Sequence, residues 1–494
     1  MKNRKIALPA LAAVVAIAGC ASAPEYKPPP VEIEAPGMWT AGGLDTMAVS
    51  MGNTRWWSDF GVSRLDSLVE EALTNNYDLV TAAARVDQAA AIARITGADK
   101  WPQISAGFSG GRRKNILLGI PIPGVKSVYS NAFGVSLDAQ WEIDLWGRIR
   151  KAESAALAEV EASWADLAGF RLSLAAQTAK AWFALTEVRQ QAELAEQTVK
   201  SFQTSADYVR KRYQQGVRTS LDLRLALSQL AAAEALLEFR QQQFDRTKRQ
   251  LEILLGRYPA AAIEAQADLP PMPKAVPAGL PSELLIRRPD LVAAERRYAG
   301  TQAKISEARR AFFPRISLTA SGGTLSEQVG DLVSGDFSVW SVAAGLTQPI
   351  FQGGRLRANL AQSHAVADQA LAGYAQSLLN AFGDVELAIV AEQRLAKRVA
   401  YTQEAADQSV AAQTLAERQY AAGLTDYITV LETQRRALNS VSELITVKRE
   451  RLEARINLHV ALGGGFDLET EWTQFLVAKS EENTEQSEAP GEDQ

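Results

Sequence analysis

Six side chains near the C-terminal end of the chain share one stripe of a predicted helix. They are Ile428, Glu432, Arg435, Asn439, Ser442 and Thr446. Alternating steps of four and three residues return to one helical face, so Glu432 and Arg435 lie one turn apart and are predicted to form an ion pair. This spacing allows charge pairing but no further chemistry. Taken by itself, it is typical of the solvent-exposed face of a helix. A separate apolar stripe is predicted to pack on neighbouring elements, and it consists of Leu431, Leu438, Val441, Ile445 and Leu452.

The sequence offers no set of residues suited to catalysis, cofactor binding or metal binding. Cys20, His364 and His459 are the only cysteine and histidines in 494 residues, too few for a zinc or copper site of the usual kind. No nucleophile–base set or phosphate-binding loop accompanies them. The net charge of −5 gives no attraction to nucleic acid. We therefore predict a protein that is not an enzyme and binds no nucleic acid.

The first 19 residues have the features of a secretory signal. A basic "MKNRK" precedes the apolar "IALPALAAVVAIAG", which is too short to span a membrane. The following "IAGC" resembles the lipobox of bacterial lipoproteins, which implies cleavage before Cys20 and lipidation of its side chain. Ala21, where some lipoproteins carry Asp, implies sorting to the outer membrane. The alternative is an ordinary signal peptide with an incidental cysteine, and the position and uniqueness of Cys20 argue against it.

Two copies of one unit follow, offset by 207 positions. Gly216 in "RYQQGVRTSLDL" matches Gly423 in "QYAAGLTDYITV", and Arg148 in "WGRIRKA" matches Arg355 in "GGRLRAN". A constant offset predicts helices of equal length in both copies. Each glycine interrupts a helical pattern and is predicted to end a helix in the left-handed conformation. The next helix is predicted to be capped by one of four side chains, namely Thr219 or Ser220 in the first copy and Thr425 or Asp426 in the second.

Each copy is predicted to contain a helix, two strands, a long helix, the glycine break and a shorter helix. No proline interrupts 124–258 or 350–489, so 150–213 is predicted to form one helix of roughly 95 Å. Compact globular domains do not need such a rod, whereas coiled coils and periplasm-spanning structures do. Ahead of the strands, 64–100 and 282–313 are also predicted to be helical.

Four segments switch to a period of two, which predicts strands. The clearest is 132–145, where apolar residues from Phe133 to Leu145 alternate with small or acidic ones; the others begin near Ile104, Ile316 and Trp340. Such strands are typical of a half-buried soluble sheet or of a transmembrane barrel with a polar lumen, and the lipoprotein signal favours the barrel. Four strands cannot close a barrel, so it must be shared between chains. Two copies would give 8 strands and a filled lumen, three copies 12 strands and a channel.

These features together resemble the outer membrane factor family, the TolC/OprM-like exit ducts, and in particular its NodT-type lipoprotein branch. The first helix of that family and the tryptophan-rich approach to it resemble "RWWSDFGVSRLDSLVEEALTNNYDLVTAAARV". Its most recognisable internal stretch resembles "LPSELLIRRPDLVAAERRYAGTQAKISEARRAFFPRISLTASGG". The resemblance implies a mainly α fold with a transmembrane β-barrel part. It further implies a homotrimer with a twelve-stranded barrel in outer membrane lipid and a periplasmic α-barrel of long helical hairpins. It implies that no reaction is catalysed and that no cofactor is used. It also implies two partners, a periplasmic adaptor and an inner-membrane transporter of the resistance-nodulation-division (RND) type.

The resemblance assigns roles to residues at the hairpin ends. A tyrosine before the turn, an aliphatic residue, an acid and an arginine close the inner aperture in the OprM-like branch; they correspond to Tyr420, Ile428, Glu432 and Arg435, with Glu in place of the more usual Asp. Gly216 and Gly423 would lie at the tips that contact the adaptor. The matching positions of the first copy are Tyr213, Leu221, Leu225 and Ser228. Because the charged pair is missing there, the second hairpin is predicted to carry the constriction, with Asp222 and Arg224 as a weaker alternative.

The chain is therefore divided into a signal peptide (1–19), a lipidated linker (20–63), a first repeat (64–280), a second repeat (281–465) and an acidic tail (466–494) that is expected to be disordered. "RRPD" at 287–290 is predicted to be structural, with Pro289 at a helix start and Asp290 in its first turn.

The alternative function is that of a type I protein-secretion duct, which would share the fold. A periplasmic adaptor is the rival of another class, but adaptors carry one helical hairpin between lipoyl-like halves.

Overall fold

The structure is a computed structural model that describes residues 38–41, 55–116, 127–274 and 287–465. The predicted signal peptide, Cys20 and the acidic tail lie outside the described residues, as does most of the predicted linker. Two compact units divide the chain. One contains Arg85–Ser163 and Ala294–Tyr374, and the other contains Glu32–Ala84, Trp164–Ala293 and Ala375–Gln494. Each unit takes segments from both predicted repeats.

The order of elements follows the predicted repeat. After a 3-10 turn at Trp56–Phe60, the first copy contains α1 (Ser63–Asn75), α2 (Tyr77–Ala98), β1 (Gln103–Ile116), β2 (Ser127–Ile143), α3 (Arg148–Gln214) and α4 (Ser220–Leu254). The second contains α5 (Pro289–Arg310), β3 (Arg315–Ser326), β4 (Ser338–Thr347), α6 (Arg355–Ala421) and α7 (Tyr427–Ala461). Two 3-10 turns, Val329–Val333 and Gly335–Phe337, join β3 to β4.

The hairpin helices of the two copies have the same length, as predicted. Both α3 and α6 have 67 residues, or about 100 Å of helix, and both α4 and α7 have 35. Both α6 and α7 begin and end 207 positions after their counterparts, α3 and α4. Within the described residues, no helix combines the length and apolar character needed to cross a membrane.

The predicted helix over 64–100 is wrong in one respect, because it is two helices broken at Asn76. The Asn76 side chain accepts hydrogen bonds from the N–H groups of Asp78 (2.9 Å) and Leu79 (3.1 Å), which caps α2. Its amide nitrogen donates to the carbonyl of Leu254 at 2.9 Å. The buried asparagine therefore ends one helix, starts the next and ties both to α4.

The four strands form one antiparallel sheet in the order β1-β2-β3-β4. Its register aligns the apolar residues of every strand, since Ile104 pairs with Ala139, which pairs with Ala320, which pairs with Val342. Directly opposed residues share a face, so one face is apolar from edge to edge and the other is small or polar. The apolar face is exposed within the single chain, with Phe108, Trp340 and Val342 each at least two-thirds exposed.

Small side chains dominate the core of the unit that contains the sheet. Buried alanines at 152, 155 and 158 of α3 allow α5 to approach closely, and Gly300 lies against Ala155 and Ala158. The core of the other unit is more aromatic: Trp56, Phe60, Trp182 and Phe183 are buried together. Helices rich in alanine therefore pack closely in the first unit.

Candidate functional site

Both helical hairpins turn at a glycine in the left-handed conformation. Gly216 has a φ of 73° and Gly423 a φ of 80°, values that glycine adopts without strain. In each turn the N–H of the next residue donates to the carbonyl five positions back, at 2.9 Å. This pattern satisfies carbonyls at the end of the helix. The predicted helix ends are therefore confirmed at both positions.

The helix that leaves each turn is capped by one of the two side chains predicted for it. Thr219 Oγ1 accepts a hydrogen bond from the N–H of Asp222 at 3.2 Å. Asp426, the residue 207 positions later, accepts from both the N–H and the hydroxyl of Thr429 at 2.8 and 2.7 Å. These donors, the hydroxyl first, hold the pKa of the Asp426 carboxyl below its ordinary value. The cap of the second hairpin is thus a carboxylate at neutral pH.

Tyr420 lies in a buried aromatic cluster that joins the two hairpin tips. Its ring centroid is 5.4 Å from that of Tyr427 and 6.0 Å from that of Tyr208. The guanidinium of Arg218, from the first tip, lies 4.4 Å from the Tyr420 centroid, a cation–π contact. Arg212 also reaches across, donating to the carbonyl of Ala421 at 3.4 Å. The two turns are therefore held together by side chains of the first hairpin on the second.

Burial raises the pKa of two phenols of this cluster, Tyr427 and Tyr420. It raises the pKa of Tyr427 to about 12, with a further contribution from the neighbouring Tyr420. Burial also raises the pKa of Tyr420, against the opposing effect of Arg218. Both rings are therefore neutral throughout the physiological pH range, and their stacking does not respond to pH there.

Ile428, Glu432 and Arg435 lie on the opposite, exposed side of α7. Ile428 is 60% exposed. The Glu432 carboxylate accepts bonds from Arg435 Nη2 at 2.9 and 3.0 Å, and this confirms the predicted ion pair. Arg435 and then Arg436 lower the pKa of the Glu432 carboxyl. The single chain therefore groups these three residues and places Tyr420 apart from them, in the core.

Arg436 is a second partner of Glu432 that the sequence analysis missed. Its Nε donates to Glu432 Oε1 at 3.2 Å, so the carboxylate is shared between two arginines. The i,i+4 spacing of the two residues was a signal for this pair. In the first copy, Leu221 is exposed at the position of Ile428, and Leu225 and Ser228 stand where the ion pair would be.

The far end of the predicted polar stripe, Ser442 and Thr446, is not a solvated face, whereas Asn439 is exposed. The hydroxyl of Ser442 donates to Gln191 Oε1 at 2.8 Å, and that of Thr446 donates to Glu187 Oε1 at 2.7 Å. Both partners lie on α3, so this half of the stripe is an interhelical polar seam. The predicted apolar stripe is confirmed at its two ends, because Leu431 packs against the buried cluster of the tip and Leu452 is buried. Leu438, Val441 and Ile445 are only partly buried, and the fully buried residues of the first half of α7 are Tyr427, Val430, Gln434, Ala437, Leu444 and Val447.

The "RRPD" segment is structural, as predicted. Pro289 starts α5 with Asp290 in its first turn. Arg288 pairs with Asp290 at 2.8 Å and Asp384 at 3.1 Å, and it donates to the carbonyl of Ala461 at 3.3 Å. Burial alone would lower the pKa of this guanidinium, but the two carboxylates raise it. The segment therefore connects three helices of one unit.

Metal binding and lipidation concern parts of the chain other than the hairpin tips. No cluster of three or more His, Cys, Asp or Glu suited to a metal ion occurs in the described parts of the chain. Cys20, the predicted lipidation site, lies outside them. Its lipidation remains a prediction from the sequence.

Comparison with known proteins gives a consistent result. The family model for outer membrane efflux proteins matches residues 68–257 and 280–464. The chain is 33% identical to the pyoverdine export outer membrane protein OpmQ of Pseudomonas putida, over 90% of this chain and 94% of that one. It is 31% identical to the outer membrane protein OprJ of Pseudomonas aeruginosa, over 94% and 97%.

Solved structures of outer membrane channels share its fold. The outer-membrane channel OprN is 30% identical with a TM-score of 0.81, over 90% of this chain and 99% of that one. The CmeC outer membrane channel of Campylobacter jejuni is 25% identical with a TM-score of 0.84, over 91% and 96%. Family model, relatives and solved channels agree over nearly the whole length, and the chain belongs to the outer membrane efflux protein family.

Proposed function

We propose that three copies of this chain form the exit duct of a tripartite efflux pump. The observation that carries the proposal is the four-stranded sheet with an exposed apolar face and two free edges, β1 and β4. Unpaired strand edges are not tolerated in lipid, so each edge must meet the edge of another chain. Three sheets give twelve strands, enough to leave a channel. The polar face would then line the lumen, and no catalysis or cofactor would be needed.

The trimer is tested directly by native mass spectrometry of the full-length protein in detergent. We expect three chains per particle. One sheet cannot close into a barrel, and two sheets would close into a barrel whose lumen is filled by side chains. A dominant monomer or dimer would contradict the proposed duct.

The duct would receive its substrate from an inner-membrane transporter of the RND type through a periplasmic adaptor. The relatives OpmQ and OprJ support an efflux role through their family. The adaptor would contact the hairpin tips around Gly216 and Gly423, where the chain turns. A type I protein-secretion duct would use the same fold with another pump, and the family match favours efflux.

We further propose that Ile428, Glu432 and Arg435 form the gate of this duct. They are exposed in the single chain and lie beside the second turn, so threefold symmetry would bring three copies of each around one axis. Tyr420 would act indirectly, by holding the second tip against Arg218 of the first. The gate would thus consist of an exposed charged ring supported by a buried aromatic cluster.

Lipid anchoring is proposed at Cys20. Substituting Cys20→Ser should abolish incorporation of labelled palmitate, because the chain has no other cysteine to acylate. The barrel would still hold the protein in the membrane, so the variant should remain in the outer membrane fraction. Palmitate label persisting on the variant would refute this anchor.

A further inference from the structure

A cationic groove lies where the sheet meets its helices, about 600 Å³ in volume. That size matches sites for small organic ligands. It lies between α5 and α6 and reaches the ends of β3 and β4. Its cationic lining residues are Arg148, Lys304, Arg315 and Arg355, and Glu307 is the carboxylate among them.

Only two of the four cations are neutralised. Arg148 is paired with Glu142 at 3.0 Å, and Lys304 is paired with Glu307 at 3.2 Å. Arg355 is held by the neutral amide oxygen of Gln352, at 2.9 and 3.2 Å. Among the described residues, no carboxylate lies within ion-pair distance of Arg315 or Arg355. Two positive charges per chain therefore face the groove without compensation.

The groove opens on the polar side of the sheet. Arg315 pairs with Thr347 in the register of β3 and β4, and Ser317 of β3 pairs with Glu142 of β2. Arg315 and Ser317 are two positions apart in one strand, so they share a face. This is the face opposite to the one that contains Ile316 and Leu346. If the sheet closes as proposed above, the groove lines the lumen.

We propose that this groove binds oxyanions, either carboxylates or phosphates, and makes the duct favour anionic solutes. Guanidinium groups match both oxyanions in geometry and charge. In a trimer, six uncompensated arginines would encircle the lumen at one level, and a charged constriction raises the local concentration of counter-ions. This inference rests on the proposed duct, and it adds a substrate class to it.

The test is the reversal potential of the full-length protein in planar bilayers under a KCl gradient. We expect chloride to be preferred over potassium, more strongly at low salt because screening is weaker there. Arg315→Gln with Arg355→Gln should lower the chloride-to-potassium permeability ratio by about twofold or more. The matched control is Arg309→Gln with Arg357→Gln, which removes two exposed arginines that lie on α5 and α6, the helices beside the groove, but do not line it. It should leave the ratio unchanged.

A second measurement separates binding from conduction. Citrate and phosphate, titrated separately by calorimetry into detergent-solubilised protein, should bind to the wild type and the control but several-fold more weakly to the groove variant. Preference for citrate or for phosphate tells which oxyanion the groove favours. Channels without anion preference, or a groove variant identical to the control in both measurements, would overturn this inference alone. Failure to form any channel would overturn the proposed duct, and the inference with it.

Discussion

Replacing Glu432 and Arg435 together by alanine is expected to raise the single-channel conductance of the purified protein several-fold in planar bilayers. In the single chain these side chains already form an ion pair beside the second turn. In the proposed trimer, three carboxylates would meet three or more guanidinium groups around one axis, where such contacts hold neighbouring chains together. Removing both partners should loosen the closed state, and the one charge that loses its partner, Arg436, is exposed to solvent. Cells that carry the variant should also become sensitive to vancomycin, which the outer membrane normally excludes.

The matched control is the same double change in the first repeat. Leu225→Ala with Ser228→Ala alters the equivalent positions of α4, where no ion pair exists, and should change conductance little. Arg436→Ala is a useful third variant, because Arg436 shares the Glu432 carboxylate. If conductance of the Glu432/Arg435 variant equals that of the wild type, the constriction lies elsewhere in the chain.

The second large effect concerns pH and the buried His459. Its ring stacks on Trp56 with centroids 5.2 Å apart, and Nε2 has no hydrogen-bond partner among the described residues. Burial, and then the charge of Arg455, lower its pKa from 6.5 to about 4. A lowered histidine pKa means that the unfolded chain binds the proton more readily. Stability from this site is therefore complete above pH 6.5 and declines as the pH falls from 6.5 to about 4, by roughly 3 kcal/mol.

Substituting His459→Phe should remove that decline while keeping an aromatic ring on Trp56. The measurement is the thermal unfolding midpoint of the detergent-solubilised protein between pH 7 and pH 4, in both forms. Carboxylates that titrate in this range contribute equally to both, so the difference isolates the histidine. His364→Phe changes the only other histidine, which is exposed, and should retain the wild-type pH dependence. Parallel pH curves for wild type and His459→Phe would refute this role.

The long helices and the strands could be predicted from the sequence because several independent signals indicate each of them. Freedom from proline, a constant offset and a matching glycine at each turn all point to α3 and α6, and strict alternation points to the strands. The break at Asn76 rests on one capping side chain without glycine or proline, so periodicity runs through it. The contact with Leu254, 178 positions away, is what makes the break necessary, and no local pattern reveals it.

Fewer of the contacts at the hairpin tips could be predicted from the sequence. Glu432 and Arg435 could be paired because a helix fixes the distance between residues three apart. Arg218 and Tyr420 belong to different hairpins, and their contact depends on how two turns meet. The position that matches Arg218 in the second copy is Thr425, so comparing the repeats also gave no signal. The division of α7 into a buried and an exposed side likewise depends on the helices that surround it.

The equal lengths of the repeated helices also restrict how a family of such chains can change by insertion and deletion. The tips touch through Arg218 on Tyr420 and Arg212 on Ala421, while α3 and α6 start from strands of one sheet. Four residues added to α3 alone would advance its end by about 6 Å and separate these contacts. An equal insertion in α6 would restore them. Lengthening or shortening of the rods should therefore occur in matched pairs, one in each half of the gene.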